Sequence, residues 1–161
     1  MNRTKQELLN LLKTHWLWIW FWRVTLVGSL SYAWYCFYVP SNDIVWAENY
    51  ISAQNKAFQS DKPIILFFTG KWCVPCKIMK RQVWANEQVR DVVNKEFIPL
   101  IIDVDDPGNI DLLVRYNVAG IPITIITDSN GNALQWRVGG ISKSEFLELL
   151  RESSSIDINT I

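Results

Sequence analysis

Ile64-Ile65-Leu66-Phe67-Phe68 is an unbroken apolar run, introduced by Lys62-Pro63 and stopped by Thr69-Gly70-Lys71. A strand without polar alternation must be covered on both faces, as in a sheet with helices above and below it. Trp72-Cys73-Val74-Pro75-Cys76-Lys77 follows at once, and Lys77 to about Asn94 reads as a helix with a break near Ala85-Asn86, where Asn86 can cap a second piece. Strand, cysteine junction and helix follow one another with no slack. That succession constrains both the fold and the chemistry.

The other patterns fit around it. Pro40-Ser41-Asn42-Asp43 is a polar, helix-starting junction, after which apolar residues from Ile44 to Phe58 recur at helical spacing up to about Ser60. Phe97 to Val104 reads as a second strand, ended by the turn cluster Asp105-Asp106-Pro107-Gly108-Asn109. Ile110 to Tyr116 reads as a short helix, Ile121 to Thr127 as a third strand, and Ala133 to Val138 as a fourth that makes a hairpin with it. Ser142 with Glu145 forms a capping box before a last helix, and the chain from about Ser153 lacks a pattern and is expected to be a frayed tail. The order predicts an α/β domain with one mixed sheet, parallel neighbours through helical crossovers, then an antiparallel hairpin, with helices on both faces.

Two cysteines separated by two residues where a strand meets a helix can close a disulfide within the first helical turn. Cys73 falls near the helix N-terminus, where unpaired N–H groups and the macrodipole favour the thiolate that disulfide exchange requires. Cys73 is therefore the expected nucleophile. Cys76, one turn further in, is the expected resolving thiol. Pro75 suits a first helical turn, and Trp72 offers an apolar rim for a partner segment. Other uses of a cysteine pair stay open. Zinc needs two further ligands, and the one histidine, His15, lies far from the motif in sequence. Covalent haem attachment needs His after the second cysteine, where Lys77 stands. A static disulfide is compatible with an oxidising compartment. No metal or cofactor is called for. With 16 Lys+Arg against 16 Asp+Glu, the chain has no global charge to attract nucleic acid.

The aromatic residues divide the chain. Five of its nine Trp lie between Trp16 and Trp34, inside WLWIWFWRVTLVGSLSYAWYCFYV, whose only charge is Arg23. The stretch from Trp16 to Val39 is about 24 residues, close to what a bilayer crossing requires, and is expected to be a transmembrane helix. Arg3, Lys5 and Lys13 precede it and Asp43 and Glu48 follow it, so the positive-inside rule puts residues 1–15 in the cytoplasm and the rest outside. A cleaved signal peptide, or a division of the run at Arg23 into an interfacial stretch and a shorter span, are the competing readings. Cys36 lies within this segment and is read as a lipid-facing or packed thiol rather than a redox group. The expected domains are thus a cytoplasmic N-terminus at 1–15, an anchor at 16–39, the folded domain at 40–152 and a tail at 153–161. One core fits the 161 residues.

From about Ala47 to Leu150 the chain resembles the thioredoxin superfamily, and in particular its small extracytoplasmic members similar to the C-terminal domain of bacterial transmembrane disulfide-interchange reductases. The residues that carry the resemblance are Lys62-Pro63-Ile64-Ile65-Leu66-Phe67-Phe68-Thr69-Gly70, the WCVPCK motif with Val74 and Lys77 in it, Asp103-Val104-Asp105, and Gly120-Ile121-Pro122-Ile123-Thr124. The resemblance implies a thioredoxin-like fold and a thiol-disulfide oxidoreductase that leans toward reducing or isomerising. It implies a cis-proline at Pro122 across from the cysteines, with the Ile121 backbone pairing to an extended partner segment. It also implies protein partners that carry disulfides, a protein of the inner membrane as electron donor, and a periplasmic location. A tethered binding or assembly protein with passive cysteines is the alternative function.

The chain departs from the superfamily in one respect. Many members bury an acid six positions before the first cysteine, where this chain has Phe67, and the companion lysine position falls at Ile101. Losing both charges together avoids stranding either one. Without the acid, Cys76 is expected to exchange its proton through water or a partner group, with a steeper dependence of turnover on pH.

Overall fold

The computed structural model describes residues 3–157. They divide into two compact units at Tyr38 and Val39. The first unit is one helix, α1 (Arg3–Phe37), on which the large apolar side chains from Trp16 to Phe37 are exposed, Trp34 at 74% and Phe37 at 72%. Among the described residues no helix is long and apolar enough to cross a membrane. This corrects the expected transmembrane span at 16–39. The stretch is helical, but much of its apolar character comes from indole and phenol rings, which favour the interface over the hydrocarbon interior. Arg23, Thr25, Gly28, Ser29 and Ser31 dilute the aliphatic part.

In the second unit, α2 (Tyr50–Ser60) begins later than expected. Asn49 caps it, its side chain accepting the Ser52 N–H at 2.8 Å, while the Ser52 hydroxyl accepts the Asn49 N–H at 3.2 Å. This capping box fixes the start of the helix and leaves residues 39–49 non-helical. Ile44 and Ala47 are buried all the same, because the segment runs alongside the sheet and the Ala47 N–H donates to the Pro99 carbonyl at 2.8 Å. Spacing alone cannot separate a helix from an extended segment that buries a few residues.

The sheet comprises β1 (Ile64–Thr69), β2 (Ile98–Asp103), β3 (Ile123–Thr127) and β4 (Ala133–Val138), in the order β2-β1-β3-β4. β1 is parallel to β2 and antiparallel to β3, and β3 is antiparallel to β4. Only one pair is therefore parallel, fewer than the helical crossovers suggested. The helix between β2 and β3, α5 (Ile110–Arg115), spans about 9 Å, about half the length of a six-residue strand. It does not return the chain to the far end of the sheet, so β3 runs back from the motif end.

Central β1 is buried at every position, as an apolar strand covered on both faces requires. Its alternate side chains feed two cores. Ile65 and Phe67 face α3 (Val74–Met79), a π-turn (Lys80–Trp84), α4 (Glu87–Glu96) and α6 (Lys143–Asp157). Ile64, Leu66 and Phe68 face α2 and α5. The break expected near Ala85-Asn86 is present, with Asn86 capping α4, and the π-turn before it had no signal in the sequence. α6 continues through the region expected to be a frayed tail. Ser153 is buried, and the Ser153 and Ser154 hydroxyls donate to the carbonyls of Leu149 and Leu150, at 2.7 and 3.0 Å. These local bonds allow serines that lack an apolar pattern to extend the helix. Residues 158–161 of the expected tail lie outside the described residues.

Candidate active site

β1 ends at Thr69, two residues form a turn, and Cys73 occupies the cap position of α3 with extended backbone. The Cys73 N–H donates to the Gly70 carbonyl at 3.2 Å and the Lys77 N–H to the Cys73 carbonyl at 3.2 Å, so the junction is held on both sides. Pro75 lies in the first turn, where a missing N–H costs nothing. Cys73 and Cys76 are joined by a disulfide, with Cα atoms 5.3 Å apart. The Cys76 N–H points at the Cys73 sulfur at 3.2 Å, the direction that favours negative charge there once the disulfide opens. Both sulfur-bearing residues are enclosed in the oxidised state, Cys73 at 2% exposure and Cys76 at 0%.

Around the disulfide the expected residues separate into rim and wall. Trp72 (66% exposed) and Val74 (51%) stand on the rim with exposed Pro75, while Lys77 is half-buried on the helix side. The Ile121–Pro122 peptide is cis. Gly70 sets how closely this segment approaches: a Cβ there would lie 3.0 Å from Ile121 Cδ1 and 3.2 Å from Trp72 Nε1. A side chain at position 70 would press on the Ile121 side chain and the Trp72 ring. Beside the disulfide, Trp72, Val104, Leu113, Val118 and Ile121 line an apolar groove of about 270 Å³.

Several residues of the site escaped sequence reasoning. The Trp72 indole N–H donates to Asp105 Oδ1 at 3.2 Å, which steers the ring over the groove. Asp105 follows β2 by two residues, and β2 ends at Asp103 opposite Thr69, so strand register was the available signal. Leu113 and Val118 come from α5 and the loop behind it, and no local pattern joins them to the cysteines. Among the described residues no cluster of His, Cys, Asp and Glu is placed to hold a metal.

A disulfide at the head of a helix, with a cis-proline at the start of a neighbouring strand and a mixed sheet covered on both faces, is the arrangement of the thioredoxin fold. The chain belongs to the thioredoxin-like domain family, whose pattern matches residues 51–154. It is 36% identical over 104 residues to the thiol:disulfide interchange protein DsbD of Ralstonia nicotianae, covering 63% of this chain and 17% of that protein. It is 28% identical over 98 residues to DsbD of Yersinia pestis, covering 59% of this chain and 16% of that protein. The chain thus spans about a sixth of the length of these relatives. In fold it is similar to the oxidised C-terminal domain of Neisseria meningitidis DsbD, with a TM-score of 0.55 and 23% identity over 63% of this chain and 90% of that one. A thioredoxin from Thermus thermophilus gives a TM-score of 0.63 at 23% identity, over 69% and 87%.

Proposed function

We propose that this chain reduces or isomerises disulfides of extracytoplasmic proteins, with Cys73 as the attacking thiolate and Cys76 as the resolving thiol. The observation that carries the reading is the Cys73–Cys76 disulfide closed across the first turn of α3 next to the cis Ile121–Pro122 peptide. An extended partner segment would lie along Ile121 and Pro122 and rest against Trp72. Its apolar side chains would fill the groove that Leu113 and Val118 help to line. Val74, Pro75 and Lys77 shape the turn between and after the sulfurs.

Thiolate attack by Cys73 on the partner disulfide forms a mixed disulfide, and Cys76 then displaces the reduced partner. The oxidised pair must be reduced again, and a membrane protein delivering electrons to the periplasmic side is the donor this reading calls for. Attachment to the inner membrane through the exposed aromatic rings of α1 would keep donor and domain together and raise their effective concentration.

One observation favours a second reading, a binding or assembly protein with passive cysteines: Cys73 is 2% exposed when oxidised. A single experiment separates the two. In a Cys76→Ser variant an exchanger accumulates mixed disulfides with extracytoplasmic proteins through Cys73, and these vanish on reduction and in Cys73→Ser. A passive holder keeps the same non-covalent partners in all three forms, and that result would overturn the exchange reading.

A further inference from the structure

The two positions where many relatives bury a charge pair are apolar here, Phe67 inside the core and Ile101 on the edge strand at 37% exposure. Phe67 and Ile101 are register partners on β1 and β2. Phe67 is fully buried with its ring 5.2 Å from that of Trp84. Nothing at this level can exchange a proton with Cys76.

One pleat further along the strands the chemistry changes. Thr69 and Asp103 are the next register partners, and strand alternation puts them on the same face of the sheet as Phe67 and Ile101, the face covered by α3. Thr69 is 3% exposed, and its hydroxyl has no hydrogen-bond partner. A buried hydroxyl left in this way is a natural ligand for an ordered water. From above, Lys80 begins the π-turn one helical turn after Cys76, and its N–H donates to the Cys76 carbonyl. Residues four apart lie on one helix face, and a side chain covers the turn before its own. The half-buried Lys80 stem therefore overlies the turn that holds Cys76.

We propose that Lys80, one turn after Cys76 on the helix that covers the sheet face carrying Asp103 and the unpaired Thr69 hydroxyl, is the positioning charge that makes the resolving thiol ionise. This inference rests on the exchange reading. In the mixed disulfide, the Cys76 thiol gives its proton to water bonded by Thr69, and the thiolate attacks the Cys73 sulfur. A Cys73–Cys76 bond forms while the bond from Cys73 to the partner sulfur breaks. The partner leaves as a thiolate with the electron pair and takes up a proton from solvent. The pair is oxidised by two electrons and the partner reduced by two.

The charged surroundings agree with this. Burial lowers the Lys80 ammonium from its ordinary value, Asp103 from β2 raises it, and Lys77 on the same helix lowers it. Asp103 thus opposes the loss of the Lys80 proton.

The test uses the full chain with Cys36→Ser and Cys73→Ala, so that Cys76 is the sole thiol, and follows thiolate absorbance against pH. Lys80→Met should move the Cys76 midpoint up by about one pH unit, and Lys80→Arg should leave it near the parent. A merely structural Lys80 would move the midpoint alike in the Met and Arg variants. An unchanged midpoint in Lys80→Met, or equal midpoints for Met and Arg, would overturn the proposal. Because this titration needs no partner, failure of Cys73 to trap any protein would count against the exchange reading alone.

Discussion

The two faces of the sheet are built from different materials, and the disulfide lies over only one of them. On the α3 side, Trp84 is fully buried, with its ring 4.8 Å from Trp46, 4.8 Å from Phe146 and 5.2 Å from Phe67. On the other side α2 presents Ala53 and Ala57 to Ile64, Leu66, Leu100 and Ile102, and the rings of that face, Phe68 and Tyr116, meet at 6.2 Å. Small residues let a helix approach an aliphatic sheet closely, whereas large rings hold the helices of the motif face at a distance and fill the space with a rigid cluster. The rigid side is where α3 must keep two sulfurs aligned. The difference teaches that this chain braces the motif face with aromatic volume.

Removing Trp84 should break this comparison most severely. Trp84→Ala leaves a cavity directly beside Phe67 and should cost about 3–5 kcal/mol in urea unfolding. Trp84→Phe should cost much less than Ala, because it keeps a ring and also deletes an indole N–H that is buried without an acceptor. Equal losses for the two variants would mean that ring packing is not what braces this face.

This cluster also marks the limit of what the sequence disclosed. Ile64–Phe68 announced a strand covered on both faces, and the cysteines declared their place at the head of a helix, because both signals are local. The Asn86 and Ser142 caps were legible for the same reason. The start of α2 at Tyr50 was not, since Ile44 and Ala47 are buried by lying along the sheet rather than by helical facing. At the site, Cys73, Cys76, Trp72, Ile121 and Pro122 came from contiguous motifs, but Asp105, Leu113 and Val118 reach the groove only through strand register and the return of the chain after α5. Position 67 could be read as lacking an acid. That Trp84 fills the space could not, because it lies seventeen residues further on, at the end of a π-turn.

The alanine side should fail in the opposite sense, by overpacking. Ala57 is fully buried, and Leu at this position would drive α2 away from β1 and β2. Ala57→Leu should cost about 1–3 kcal/mol in the same unfolding measurement. Exchange through Cys73 should persist in whatever fraction stays folded, since the aromatic side is untouched. A stabilised Ala57→Leu would show that the α2 face is loosely packed and that the contrast between the faces is one of composition only.

The smallest effect belongs to the edge of the same α2 face, and it is set by pH. The Tyr116 hydroxyl donates to the Gly131 carbonyl at 2.9 Å and accepts from the Tyr50 hydroxyl at 3.0 Å, while the Arg115 guanidinium lies 5.7 and 5.5 Å from the two ring centres. Gly131, at φ +83°, is the residue that fits this corner, since a Cβ would strike the Tyr50 hydroxyl. Burial raises the Tyr116 phenol above its ordinary value. A raised folded-state value means that its contribution is complete below the unfolded tyrosine value of about 10. It declines as pH climbs above that value and is lost once pH passes the folded-state value, because the unfolded chain ionises first. Tyr116→Phe should therefore cost about 1 kcal/mol near neutrality and flatten the alkaline fall in stability. Denaturant midpoints measured near neutrality and above about pH 10 read both effects. A variant that keeps the full alkaline fall would place its source elsewhere and remove the one titrating contrast between the two faces.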